Sequence, residues 1–543
     1  MPCLPIGERA LALCLGRDGT EAIGRVRAVA EAVAAAGLPG VEDVVASPGR
    51  VTVAFEPAAT GDMAFLEQTL TTIARQAAGS SEPVATTHEI PVAYDGPDLD
   101  DVCSVHRIDR RRLIALHTEP DYVVEAIGFL PGFGYLAGLP ESLVTPRRAT
   151  PRARVPRGAV GIGGGQTGVY PFASPGGWNL IGRSPVRLFD VSRPQPALLA
   201  VGDRVRFTAV DLPADDGASP AGQAAGEAAP RTTAITVVQP GLFTTVQDLG
   251  RRGHRAAGVP LSGAADSVSL RLANLLVGNP EDAAGLECTL LGPTLRFHRD
   301  ATVAVAGAVF PGLPTNRAVR VTAGTEIVLG HATSGCRGYL AVAGGIDVPP
   351  VLGSRSTLVA AGFGGYAGRP LKVGDRLAVG DAAATRVESR RALESVAAEL
   401  GTVRRPCVLR VIPGEQADIA GEAFWSRSFR ASSRSDRMGL RLDGEPPPLT
   451  SREGSMQSVA VFPGTVQLPP DGRPIVLLAD AQTIGGYPVV GQVIEADLPL
   501  AVQLRPGEEV RLKPVAIADA RAAVHEREAA VRAWQAALLR GSS

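Results

Sequence analysis

After Asp211 the chain reads LPADDGASPAGQAAGEAAPR as far as Arg231, a stretch of Ala, Gly, Pro and acid without an aromatic residue. Such a segment cannot bury enough apolar surface to offset the entropy of ordering it, so 211–232 is expected to be a flexible linker. Its place in a chain of 543 residues points to a fusion of two halves, each with cores of its own. With 45% hydrophobic residues, roughly three to four domains are expected by length.

Upstream, 1–84 reads as a small α/β module. Leu11–Leu15 and Val51-Thr-Val-Ala-Phe55 have strand character, and Glu21–Ala36 and Met63–Ala77 have helical periodicity. From His88 the pattern turns to short β runs punctuated by Gly and Pro, as in barrels and sandwiches, and 85–210 is assigned as one such lobe. Downstream, 233–400 and 401–543 form two further lobes, with Ala382–Leu400 as a helical connector and Ile517–Leu539 as a docked terminal helix.

A weak internal repeat supports related lobes. Val201-Gly-Asp-Arg-Val-Arg-Phe207, Val373-Gly-Asp-Arg-Leu377 and Pro506-Gly-Glu-Glu-Val-Arg-Leu512 look like one turn-plus-strand device. Gln166-Thr-Gly-Val-Tyr-Pro171 likewise echoes Gln482-Thr-Ile-Gly-Gly-Tyr-Pro488. The expectation is a mainly β, α+β chain of three related β-barrel lobes.

Composition removes whole classes of function. The net charge is −1 with both signs interspersed, unlike a nucleic-acid or membrane-surface protein. No apolar run reaches the roughly 18–20 residues of a membrane span, so a cytoplasmic protein is expected. The 6 cysteines and 7 histidines show no zinc or disulfide spacing, and no metal site is expected. Lys372 and Lys513 are the only lysines among 54 basic residues, and neither stands in a biotin-carrier, P-loop or Ser–Ser–Lys context. No covalently attached biotin is expected.

Gly128-Phe-Leu-Pro-Gly-Phe-Gly-Tyr-Leu-Ala-Gly138 is too rich in Gly and Pro for a helix. It suits a rigid loop approaching a ligand, through Phe129, Pro131, Gly132, Phe133 and Tyr135, or a packed Gly–aromatic corner. His117, just upstream, is the candidate acid/base. Arg147, Arg148 and Arg152 lie in a proline-broken arginine series whose guanidinia suit carboxylate or phosphate, unless they only line a solvated edge. Gln166, Thr167, Tyr170, Gly176, Gly177 and Trp178 follow within a glycine-rich stretch.

In the second half, polar residues beside glycines resemble pocket walls: Gln247, Asp248 and Arg251, then Ser262 and Asp266, then Ser354 and Arg355. Arg437, Gln467, Asp480, Gln482, Thr483, Gly485, Gly486 and Tyr487 close the series. His117, Arg148 and Asp480 stand as candidate catalytic groups. Spacing alone indicates a ligand pocket and leaves the reaction open.

HEIPV, GPDL, GFLPGFGYL, VPRGAVGI, QTGVYP, SPGGW and IGRSP resemble the family of the 5-oxoprolinase B component, also called allophanate hydrolase subunit 1 or kinase A inhibitor-like. QPGLFTTVQDLGRRG, GVPLSGAAD, LECTLLGP, YLAVAGGID, GSRST, SDRMG and QLPPDGRPIVLLADAQTIGGYP resemble the C component, or allophanate hydrolase subunit 2. The resemblance implies cyclophilin-like barrels, one in the B half and two in the C half. It also implies ATP-dependent opening of 5-oxo-L-proline to L-glutamate, with ATP and its Mg counter-ion, a small amide substrate and a separate 5-oxoprolinase A component as partner; a homo-oligomer is compatible with it. Two alternatives come with the same families. One is a carboxyltransferase-like component acting on urea or another small amide with separate biotin-dependent partners; the other is a kinase-inhibitory regulator. The C-family pattern carries a further Thr after Gln482 and Thr483, where this chain has Ile484.

Overall fold

The computed structural model describes residues 2–16, 19–60, 63–77, 85–213, 233–381, 406–446 and 458–540. Most of the expected linker and the Ala382–Leu400 connector lie outside the described residues.

The amino-terminal module is an antiparallel sheet in the spatial order Cys3–Ile6, Ala10–Cys14, Arg50–Phe55, Val41–Ser47. The helices Gly19–Ala35 and Met63–Ala77 close its core, burying Val26, Val29, Leu66 and Leu70 against Leu13, Val51 and Val53. Two of the four strands, the first and the third in sequence, carry no clear strand pattern: Cys3–Ile6 includes a proline and Val41–Ser47 an acid pair.

The next lobe is a seven-stranded sheet of β1 (Thr87–Val92), β2 (Tyr122–Ile127), β3 (Gly134–Ala137), β4 (Ala159–Gly163), β5 (Gln166–Val169), β6 (Asn179–Arg183) and β7 (Arg204–Ala209). Their order is β6-β4-β5-β3-β2-β7-β1, with β7 parallel to β1. Reciprocal bonds of 2.9 Å between Ala93, just after β1, and Arg183 of β6 close the cylinder.

The last lobe repeats this plan strand for strand. It contains β8 (Cys407–Pro413), β9 (Ser428–Ala431), β10 (Gly439–Asp443), β11 (Thr465–Gln467), β12 (Ile475–Leu477), β13 (Val489–Val493) and β14 (Glu509–Pro514). These form a closed barrel in the order β8-β13-β11-β12-β10-β9-β14, again with first and last strands parallel. Each barrel also carries a small ribbon, Arg152–Val155 with Ser174–Gly176 and Val459–Ala460 with Ile484–Gly485.

This topology corrects one expected repeat. Gln166 and Thr167 open β5, whereas Gln482 and Thr483 follow β12, so the two Gln-Thr pairs are not equivalent. The true counterpart of Gly485-Gly486-Tyr487 before β13 is Gly176-Gly177-Trp178 before β6. The glycine-acid turns are one device in all three lobes. Asp203, Asp375 and Glu508 each accept the amide three residues back, from Ala200 at 2.9 Å, Lys372 at 2.7 Å and Arg505 at 3.2 Å. Gly202, Gly374 and Gly507 supply the left-handed residue each turn needs, with φ of 87, 87 and 86°.

The middle lobe shares that turn but differs from a closed barrel. Its strands form a four-stranded and a five-stranded sheet around one core that includes Ile235, Leu286, Val305 and Phe310. The helix Ser267–Val277 covers the outside of the larger sheet, and Val531 and Trp534 of the terminal helix Ile517–Arg540 seal against it.

Candidate functional site

The aromatic loop after β2 is where the two halves meet. The Gly132 amide donates to the Ala257 carbonyl at 2.8 Å, and a Cβ on Gly128 would stand 2.5 Å from the side chain of Ile484. Phe129, Phe133, Tyr135, Tyr170 and Trp178 meet edge to face, and Ala460 and Ile484 of the last barrel complete the cluster. Pro131 is buried beside them. The loop is therefore a Gly–aromatic corner filled by the chain itself rather than an open ligand cradle. Ile484 is 1% exposed, an apolar plug between barrels, and Thr483 beside it reaches the Ile127 carbonyl at 3.5 Å.

His117 lies deep in the first barrel, 0% exposed and stacked 4.6 Å from Phe207. Its Nδ1 pairs with the Tyr94 hydroxyl at 2.7 Å and its Nε2 with Thr167 at 2.9 Å. Burial pushes its pKa down to about 3, so the ring is neutral and both nitrogens are committed. This corrects the acid/base expectation: His117 is a satisfied core histidine.

The arginine series behaves as a site. Asp98, 2% exposed, accepts the Leu180 amide at 2.7 Å, Arg148 Nη1 at 2.8 Å and Arg152 Nη2 at 2.5 Å. The Arg148 amide donates to Gly177 at 2.8 Å, which fixes the arginine loop to the Gly-Gly-Trp corner. Arg152 Nη1 is buried without a partner, and Arg147 is exposed alongside. The Trp178 indole presses on β4 where the residue is Gly163; a Cβ there would stand 2.3 Å from the ring. Burial pushes Tyr170 up to about 12 despite the nearby charges of Arg147 and Arg152, and a Cβ on Gly176 would stand 2.6 Å from its hydroxyl. Gln166 holds Glu125 at 3.0 Å, a carboxyl that burial raises above its ordinary value. The partly exposed guanidinia of Arg148 and Arg152, anchored on Asp98, can take an anion.

The second set joins the middle and last lobes. Arg437 grips Asp480 with two bonds of 2.8 and 3.0 Å and reaches Glu287 through Nη1. Glu287 accepts the Tyr339 hydroxyl at 2.8 Å and the Ala265 amide at 2.9 Å. Burial works against the Glu287 carboxylate, yet Arg437 and Arg337 hold it below its ordinary value. Asp266 caps the helix Ser267–Val277 through the Ser269 amide at 2.9 Å and binds Gln503 at 2.9 Å, a structural duty. Asp248 gathers Ser354 at 2.7 Å, the Arg355 amide at 2.5 Å and Ser356.

Arg251 is 1% exposed, donates Nη2 to the Ser356 carbonyl and lies 5.1 Å over Phe363, while its Nε and Nη1 have no partner. Burial pushes it down to about 10, still a cation at neutral pH. Gln247 Oε1, Ser262 Oγ and Gln467 Nε2 are also buried without partners. Each buried orphan of this kind needs a cause, in strain, a water or a bound group. Gln482 is half-buried, Gly485 is packed within the ribbon, and Gly486 and Tyr487 are exposed on the corner before β13.

Sequence reasoning passes over Asp98, Glu287 and Tyr339, although each stands inside a motif that carries the family resemblance: GPDL, LECTLLGP and YLAVAGGID. Among the described residues no group of three or more His, Cys, Asp or Glu is placed to hold a metal ion, and no helix is long and apolar enough to cross a membrane.

Family comparisons agree with this division. Residues 1–199 match the carboxyltransferase domain, subdomains C and D, and residues 257–514 match subdomains A and B. The second half is 40% identical to the C component of Escherichia coli 5-oxoprolinase over 296 residues, 53% of this chain and 93% of that one. The chain belongs to the carboxyltransferase-domain family. Within that family its first half is 58% identical to the B component of Haemophilus influenzae 5-oxoprolinase over 122 residues, 22% of this chain and 57% of that relative. The crystal structure of TTHA0988 superposes with a TM-score of 0.79 at 38% identity, covering 93% of this chain and 99% of that one. This member of the carboxyltransferase-domain family thus joins B-like and C-like halves.

Proposed function

We propose that the chain supplies the B and C components of an ATP-dependent 5-oxoprolinase and activates 5-oxo-L-proline for opening to L-glutamate by a separate A component. Similarity to the B and C components within one chain is the observation that carries this reading. The lactam carbonyl oxygen attacks the γ-phosphorus of ATP, the bond to ADP breaks and the lactam N–H proton passes to solvent. Water then adds to the phosphorylated imidate, the ring C–N bond breaks, and a second water releases inorganic phosphate to leave L-glutamate. Arg148 and Arg152, held by Asp98, present cationic donors for the phosphates, with Arg147 at the rim; the unpartnered Arg152 Nη1 supports that role. Magnesium would accompany the nucleotide as counter-ion and supply charge neutralisation there. The Arg437–Asp480 pair positions the surrounding loops.

The test is ADP release by the purified chain with 5-oxoproline, with and without a cognate A component, and with urea plus a biotin carboxyl donor in parallel. Glutamate formed only when the A component is present supports the assignment. Absence of amide-dependent ATP turnover in every combination overturns it.

A further inference from the structure

A cavity of about 390 Å³ lies where the amino-terminal module, the middle lobe and the last barrel meet. Its wall alternates charged side chains with apolar ones such as Ile6, Leu249, Leu261 and Phe462. Most of the charges already neutralise one another. Arg9 binds Glu56 and Glu495 at 2.7 Å each, Arg252 binds Glu42 at 2.8 Å, Arg271 binds Glu528 at 2.9 Å, and Arg527 binds Glu495 at 2.7 Å.

Arg255 is the buried arginine of this wall. It is 3% exposed, forms no ion pair among the described residues, and has an unpartnered Nε. Nη2 donates to the Val461 carbonyl, and the guanidinium carbon sits 4.5 Å over the Phe462 ring. Burial lowers its pKa to about 10, which leaves it charged at neutral pH. Asp43 and Glu42 offset part of the cost of burying its charge, and a bound anion would offset more. Ser262 lines the same cavity, 2% exposed and held at φ 53°, and its Oγ is also unpartnered.

Two acids complete the wall. Glu8 and Asp43 are 2% and 7% exposed and accept backbone amides, Glu8 from Glu495 and Asp43 from Gly253 and from Arg255 at 2.9 Å. Burial raises both above the ordinary carboxylate range. These two acids disfavour a multiply charged anion such as phosphate, and they welcome a ligand that also donates hydrogen bonds.

We propose that this junction cavity binds a small amino-acid-like carboxylate, with its oxygens on Arg255 and Ser262 and its N–H group on Asp43 or Glu8. The volume admits a molecule well beyond a single ion, and the apolar side chains of the wall suit a short carbon skeleton or lactam ring. The choice of test compounds rests on the proposed reaction.

Titration calorimetry of the full chain with 5-oxo-L-proline, L-glutamate and inorganic phosphate tests the proposal. Saturable binding of at least one of the two carboxylates, and none of phosphate, is the expected result. Arg255→Gln should weaken that binding tenfold or more, and Ser267→Trp, which fills the cavity from its wall, should abolish it. Circular dichroism checks that both variants fold; should Arg255→Gln fail to fold, Ser262→Ala replaces it with an expected loss of severalfold. Binding of neither carboxylate, tighter binding of phosphate, or unchanged affinity in folded variants overturns the proposal. Turnover with the A component is measured on the same samples. Binding without turnover counts against the proposed reaction and leaves the cavity standing; turnover without binding overturns the cavity.

Discussion

Arg437 of the last barrel holds Asp480 with bonds of 2.8 and 3.0 Å while its other terminal nitrogen reaches Glu287 of the middle lobe. All three groups are less than a tenth exposed, so one guanidinium binds two carboxylates drawn from two lobes, with Arg337 3.9 Å from Glu287 as a second cation. Removing it by Arg437→Met should cost about 3–5 kcal/mol, because buried Asp480 loses its ion-pair partner and Glu287 keeps only Arg337. Urea denaturation monitored by tryptophan fluorescence measures this. The triple change Arg437→Met, Glu287→Gln, Asp480→Asn should recover part of the loss.

The Gly128–Ile484 contact gives a second expectation. A methyl group at Gly128 would overlap Ile484 at 2.5 Å, so Gly128→Ala should destabilise the docking of the halves by about 1–3 kcal/mol. Ile484→Ala alone should cost about 2–5 kcal/mol by leaving a cavity. The double variant should be more stable than the sum of the two, a coupling that a thermal or chemical double-mutant cycle reads directly.

His117 sets a pH dependence. Its folded pKa, about 3, lies below the ordinary 6.5, so the unfolded chain binds the extra proton between those values. The stability it contributes is complete above pH 6.5 and is lost as pH falls toward 3, by about 1.4 kcal/mol per unit for this group. Replacing it with Gln should flatten the acid limb of the stability curve, seen as a smaller drop in Tm as the pH is lowered from 6.5 by about one and a half units.

The arginine shelf should separate binding from folding. Arg152→Gln and Arg148→Gln should raise KM for ATP about tenfold each, with Tm changed by only a few degrees, since both side chains are partly exposed. Steady-state ADP release with the A component present measures the effect. An unchanged KM in both would remove the shelf from nucleotide binding.

What can be read in the residues is local chemistry. The glycine-acid turns repeat because one acid must satisfy one amide three residues back, a rule confined to a few positions and therefore visible in the sequence. The terminal helix and the two helices of the first module show their periodicity for the same reason. The Gln-Thr echo misleads because similarity of two residues says nothing about which strand follows; only the pairing of β5 and β12 with their neighbours separates them. His117 looks catalytic through proximity to the aromatic loop, and the structure spends both of its nitrogens inside the barrel. Asp98 and Glu287 stay hidden because their importance comes from arginines 50 and 150 positions away.

Both barrels end with a strand that runs beside and parallel to their first. The backbone therefore enters at one rim and departs at the other, about 20 Å away for a six-residue strand. Each barrel is in this respect a bead on a string, and beads can be strung in either order without doubling the thread back on itself. A chain built this way tolerates rearranged gene order, because joining the units end to end asks nothing of the contacts that hold them together.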